Sequence, residues 1–297
     1  MKQAIVLIFL LFGLRVFSQQ VADDKYLPVV KKASHTVEIF VDEAHNNFHT
    51  VSNRFKPFAT LLRRAGYTVK GFTNKFTDNS LKKIKTLVIS NALASGSRPP
   101  FVIPTKSAFT DEEIKVIEKW VAKGGSLFLI ADHMPFAGAS EKLGAAFGFK
   151  FYDSFLLDKD RRGIFDFSKK NSMLAKHKIT SNKSPYGKIK RVRTFTGQAF
   201  KIPNKAQSIL KTNEKLIVYL PDTMWRFSSK TKRFKATNMS QGAVIKYKKG
   251  KVAVFGEAAM FTAQLAGRSQ FKVGMNAEEA SENYKFLLNL IYWLQSK

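Results

Sequence analysis

The 297-residue chain contains no cysteine, which excludes a disulfide-stapled scaffold and any thiolate metal site. Acidic residues are scarce, and 22 Asp+Glu against 50 Lys+Arg leave a formal charge of +28. Histidine is rarer still: His35, His45, His49, His133 and His177 are the whole set. No apolar run after Leu14 is long enough to read as a membrane span. Neither Gly-x-Ser-x-Gly nor Gly-x-Gly-x-x-Gly nor a phosphate-loop pattern occurs, so a serine-hydrolase elbow and a nucleotide cofactor have no support. What is present is ample core material. A hydrophobic content of 44% with 27 Phe suits one large domain or two small ones and rules out a disordered tail.

Met1–Lys2 followed by the apolar run Ala4–Leu14 has the charge and length of a signal peptide. Val16 and Ser18 supply the residues before a cleavage site at Gln19, giving a leader over 1–18 and a polar lead-in over 19–34. A membrane anchor is the competing reading, but Arg15 interrupts a run already short of the roughly 20 apolar residues a span needs. The expected mature protein is periplasmic or secreted, with no transmembrane segment. Loss of Lys2 and Arg15 lowers its charge only to +26.

From residue 35 to 297 the pattern is that of a single α/β domain. Thr36–Val41, Tyr67–Phe72, Thr86–Ser90 and Ser126–Ala131 have strand composition. Phe55, Phe58, Leu61 and Leu62 recur at helical spacing. Thr110-Asp-Glu-Glu113 is a capping box before the stripe Ile114, Ile117, Trp120 and Val121, and Gly124-Gly125 ends that helix. Ala243–Tyr247 and Lys251–Phe255 read as a hairpin, and Asn283–Leu294 as a closing helix. Strands alternating with helices indicate a mostly parallel sheet covered on both faces, with ligand sites beyond the carboxyl ends of the strands. Residues 151–240 break the rhythm and read as an irregular basic insertion.

Three strand-end tails are then of interest: Asp42-Glu-Ala-His-Asn-Asn-Phe-His49, Asp132-His133 with Pro135-Phe-Ala-Gly138, and Gly256-Glu-Ala-Ala-Met260. Together with Gly274-Met-Asn276 and Leu287-Leu-Asn-Leu-Ile-Tyr-Trp-Leu294, these segments resemble the bacterial family called domain of unknown function 4350, within the class I glutamine amidotransferase-like superfamily. The resemblance covers nearly the whole mature chain and implies a flavodoxin-like three-layer α/β/α sandwich. Amidotransferases of the superfamily carry a cysteine nucleophile on the turn after a central strand. Here Asp132 and His133 stand at the best match to that turn, so glutamine hydrolysis through a thioester is excluded. Members that lack the cysteine, including the trehalose-utilisation type, lean the substrate toward carbohydrate by analogy.

The candidate catalytic residues are His133, Asp132 and Glu257, and Asp42, Glu43, His45, Asn46, His49 and Asn276 are candidate ligand-binding residues. Imidazoles and carboxylates suit acid/base work and equally suit a divalent metal such as zinc, held by His45, His49 and His133. His45 and His49 share a face if Ala44–Thr50 is helical. Structural roles fit the same residues: a strand-end His can bond a loop carbonyl, Asp132 can cap the helix near Gly138, and Glu257 can cap the segment that follows it. Trp225, in the irregular stretch, is either a sugar-stacking platform or a loop anchor.

Charge is unevenly placed. Residues 151–250 hold 24 Lys+Arg and 6 Asp+Glu, so +18 of the +28 falls there. No groove-reading element or base-stacking face accompanies it, so nucleic acid ranks below an anionic envelope polymer as partner. Two functions follow: a hydrolase or binder of a small polar, saccharide-containing ligand at the Asp/His/Glu pocket, or a non-catalytic module that holds anionic envelope glycan through the basic insertion.

Overall fold

A computed structural model describes residues 20–32 and 37–296; the leader read at 1–18 and His35 lie outside the described residues. The six strand-like runs of the sequence join one further strand in a seven-stranded sheet. Its members are β1 (Glu38–Asp42), β2 (Thr68–Phe72), β3 (Thr86–Ser90), β4 (Ser126–Ile130), β5 (Gln207–Lys211), β6 (Ser240–Tyr247) and β7 (Gly250–Phe255). The order is β2-β1-β3-β4-β7-β6-β5. The five from β2 to β7 are parallel; β6 runs antiparallel to both of its neighbours.

β4 shows why the sequence is apolar throughout rather than alternating. Phe128 and Ile130 join Phe58 and Leu62 of helix α1 (Lys56–Arg64) and Leu287 and Ile291 of the closing helix α3 (Asn283–Gln295). Leu127 and Leu129 join Ile114, Ile117 and Val121 of helix α2 (Asp111–Ala122) on the other face. A strand covered on both sides has no polar face to show. Each such side chain contributes about 1.5–3 kcal/mol of burial. α2 starts as expected: Thr110 accepts from the Glu113 amide and the Glu113 carboxylate accepts from the Thr110 amide.

Register fixes the level of the strand ends. Ser90 and Phe255 both lie opposite Ile130, so the tails after β3, β4 and β7 leave the sheet side by side. Asn91 and Ala131 extend the ladder by donating to the carbonyls of Ile130 and Phe255.

Three expectations change. Residues 151–240 are strand-rich rather than irregular. They supply β5, a ladder of Ile164–Ser168 with Arg191–Phe195, and an antiparallel sheet of Phe155–Leu157, Ile217–Leu220 and Lys232–Lys235. These strands are three to five residues long, and Lys232–Lys235 is exposed at every position, so no alternation marks it. The lead-in also holds a strand, Gln20–Ala22, paired with Ala263–Ala266. Ala44–Thr50 is not helical. Instead the Asn47 side chain shapes this loop, accepting from the His45 amide and donating to Asp42 and the Ser90 carbonyl. No helix among the described residues is long and apolar enough to cross a membrane.

The β6–β7 hairpin packs its tip against the end of α2. A Cβ at Gly250 would stand 2.1 Å from the Val121 carbonyl oxygen and 2.3 Å from that of Gly125. Gly250→Ala is therefore expected to cost about 3 kcal/mol, and Thr110→Ala, which removes only a cap, about 1 kcal/mol. Urea denaturation of the two variants checks the order.

Candidate functional site

The tail of β1 is held by an ionic clamp. His45 Nδ1 lies 2.9 Å from Asp42 and Nε2 lies 3.1 Å from Glu113, while the ring stacks on Phe76 at 4.5 Å and meets Phe109 at a tilt at 4.9 Å. Two carboxylates facing both nitrogens call for an imidazolium that donates twice. Burial alone would lower the His45 pKa; the hydrogen bond and charge of Asp42, then those of Glu113, outweigh it and the net shift is upward. His49 goes the other way. Its Nδ1 meets the Ser90 hydroxyl at 3.0 Å, its ring stacks on Phe55 at 4.4 Å, and burial, then the Arg54 charge, depress its pKa to about 3.

Beyond β4 and β7 two carboxylates are buried together. Glu257 accepts from the amides of Ala259 at 2.7 Å and Met260 at 2.8 Å, so it caps the turn that follows. Asp132 accepts from the amides of His133 at 2.7 Å and Ala258 at 3.2 Å, which ties the two tails to each other. Asp132 does not cap the helix near Gly138; the Gly138 amide in its first turn donates to the Asp153 carboxylate instead. Burial and then the Asp132 charge push the Glu257 carboxyl well above the usual range, against the pull of its backbone donors. Close approach is built in: Gln198 donates to the Ala131 carbonyl, and a Cβ on Gly256 would fall 2.4 Å from the Gln198 carbonyl oxygen.

His133 stands at the rim of this arrangement. Its Nδ1 lies 2.6 Å from the Met134 carbonyl oxygen, which requires the proton on Nδ1 and leaves Nε2 as the acceptor. Nε2 is 3.9 Å from Asp132, close enough to feel its charge but not hydrogen-bonded to it. The ring stacks on Phe155 at 4.5 Å and lies in a T-shaped contact with Trp225 at 4.8 Å. Trp225 remains 40% exposed and has a left-handed backbone, with φ at 63°, a conformation costly for a bulky residue. Asp153 approaches from the other side, bonded to the Thr105 hydroxyl and the Gly138 amide. Its pKa is raised by burial and held back by Thr105, Gly138 and the charge of His133.

The other sequence candidates go elsewhere. Glu43 braces the Val51 amide and lies against Gly71. Asn46 is an exposed turn residue with φ at 45°. Asn276 donates to Asp23 and to the Gln264 carbonyl, and so serves the small sheet built on the lead-in rather than the strand tails. The trio His45, His49 and His133 does not form one metal centre. Each ring has its own partners, both nitrogens of His45 are spent on carboxylates, and among the described residues no group of three or more His, Asp or Glu could hold a metal ion. Glu113, Asn47, Asp153 and Phe155 join the arrangement without having been singled out for it. Glu113 was legible only as a capping-box residue, and Asp153 and Phe155 lie in the lysine-rich stretch with no motif around them.

The class defined by fold and strand-end geometry is a mixed α/β protein on a mostly parallel sheet. Solved structures share that fold. The mmIFT52 N-terminal domain is 14% identical with a TM-score of 0.61, covering 87% of this chain and 98% of that one. The cytoplasmic protein STM3548 from Salmonella typhimurium is 13% identical with a TM-score of 0.50, covering 88% and 99%. A ThuA-like protein from Bacteroides uniformis is more distantly similar, 12% identical with a TM-score of 0.42, covering 91% and 95%. No family model and no curated protein matches the chain.

The two buried histidines have opposite consequences for stability. His45, raised when folded, stabilises fully below its unfolded pKa of 6.5 and loses that contribution as pH rises through the folded value. His49, depressed to about 3, is a burden in acid, because between 6.5 and 3 the unfolded chain binds a proton that the folded chain does not. Well inside that window the loss is about 1.4 kcal/mol per pH unit. His49→Asn, which retains a partner for Ser90, is expected to flatten the acid limb of stability measured by urea denaturation from pH 6.5 to 4.

Proposed function

We propose that the protein binds a polar, saccharide-containing ligand on the surface formed by His133, Trp225 and Phe155. One observation carries this reading. Of the strand-end imidazoles, His133 has one nitrogen fixed by a backbone carbonyl and the other beside a carboxylate at a partly open aromatic rim. An exposed indole offers an apolar face for a sugar ring, and Nε2 accepts a hydroxyl proton. Hydrolysis at this place uses a water activated at Nε2, with Asp132 stabilising the imidazolium that results. Glu257 acts through Asp132, since its own oxygens are held by backbone amides.

The reading joins the resemblance to the domain of unknown function 4350 type, with its flavodoxin-like sandwich and its cysteine replaced in the elbow by Asp132-His133. It also includes export through residues 1–18; deleting them is expected to retain the protein in the cytoplasm on cell fractionation.

The test is calorimetric titration with disaccharides of glucose, mannose and N-acetylglucosamine, with reducing-end release measured in parallel. At least one sugar is expected to bind, with His133→Ala and Trp225→Ala each weakening it about tenfold, or about 1.4 kcal/mol. His49→Asn is expected to leave binding unchanged. Release that disappears in His133→Ala makes the protein a hydrolase; binding without release makes it a binding module. Affinity indifferent to both rim substitutions overturns the proposal.

A further inference from the structure

Next to the His133 rim, the loop after Ile217–Leu220 encloses a cleft of about 310 Å³, lined among others by Asp222, Arg226, Phe227, Ser228, Lys230 and Lys232. Phe227 of the cleft lining joins the two places. Phe227 lies 5.2 Å from Phe155 and 6.4 Å from Trp225, and Arg226 directly follows Trp225 in the chain. Three cations and one carboxylate line a single concavity.

Those cations are unspent. Elsewhere in the basic stretch, Arg162 is paired with Asp158 and Asp160, and Arg193 with Asp166 and Glu279. Among the described residues, Arg226, Lys230 and Lys232 meet no carboxylate within 4.0 Å, Asp222 included. The turn between them is preformed. Thr231 Oγ1 accepts from the Ser228 amide at 2.8 Å and Ser228 Oγ from the Lys230 amide at 3.2 Å, so each hydroxyl keeps its own proton to donate. A concave set of unpaired cations and free hydroxyl donors fits an anionic oxygen group.

We infer that this cleft is the anion subsite of the His133 site and that the ligand is an acidic saccharide, bearing phosphate or carboxylate. The inference rests on the saccharide reading of His133 and Trp225 and adds the class of sugar. The ring lies against Trp225, and its acidic substituent reaches Arg226, Lys230 and Lys232.

The folded protein is titrated with glucose, glucose 6-phosphate, glucuronate and inorganic phosphate at low and at physiological ionic strength. Both sugar acids are expected to bind at least about tenfold more tightly than glucose, with an advantage that shrinks as salt rises. The stronger of the two identifies the acidic group. The triple substitution R226Q/K230Q/K232Q, at exposed positions, is expected to keep the thermal midpoint and the affinity for glucose while abolishing the advantage. K246Q/K248Q/K249Q, at the far end of the sheet, is expected to preserve it. Equal affinity for glucose and its acids, or an advantage lowered equally by both triples, overturns the inference while leaving the His133 reading in place. Phosphate binding that requires the cleft, in a protein that binds no glucose, removes the saccharide reading and leaves the anion subsite.

Discussion

Everything at the functional edge depends on how two carboxylates are accommodated below the surface. β4 and β7 end at the same level, and each continues into a tail that buries an acid, Asp132 in one and Glu257 in the other. Backbone amides resolve the problem, two for each carboxylate, and the Ala258 amide crosses from one tail to the other. A buried carboxylate without donors would be ejected; here the donors hold the pair in place while burial and the Asp132 charge keep the Glu257 pKa raised. The pair becomes a fastener. Because Asp132 takes the His133 amide, the imidazole leaves the tail in a set direction, and the Met134 carbonyl then fixes its tautomer. The rim is thus a consequence of the fastening beneath it.

The β1 tail solves a similar problem differently. There the acids are neutralised by a side chain, with His45 doubly engaged between Asp42 and Glu113. The same residue types that suggested a metal ligand set therefore act as a stay between a loop and the start of α2. Imidazole chemistry at the two tails diverges because one ring has both nitrogens occupied and the other has only one.

Much of the sheet was legible. β3, β4, the β6–β7 hairpin, and α2 with its capping box follow directly from apolar runs and the Thr110–Glu113 spacing, because strands covered on both faces leave an unmistakable trace. The tails at Asp132 and Glu257 were also legible as places, since parallel sheets put polar function at carboxyl ends. What each side chain does there was not. His45 and His49 are four apart in sequence, and nothing local reveals that Asn47 replaces a helix with a turn between them. Phe155 and Asp153 reach His133 only through tertiary packing. The strands of 151–240 were hidden by shortness, and Lys232–Lys235 by having no buried face at all.

That last strand has a consequence of a different kind. It forms one margin of the small antiparallel sheet, with backbone donors and acceptors on its outer side and Lys232, Arg233 and Lys235 along it. An open strand margin is a template for pairing with another copy of the chain, and clustered cations repel such an approach. The positive charge along this margin therefore opposes self-association through it.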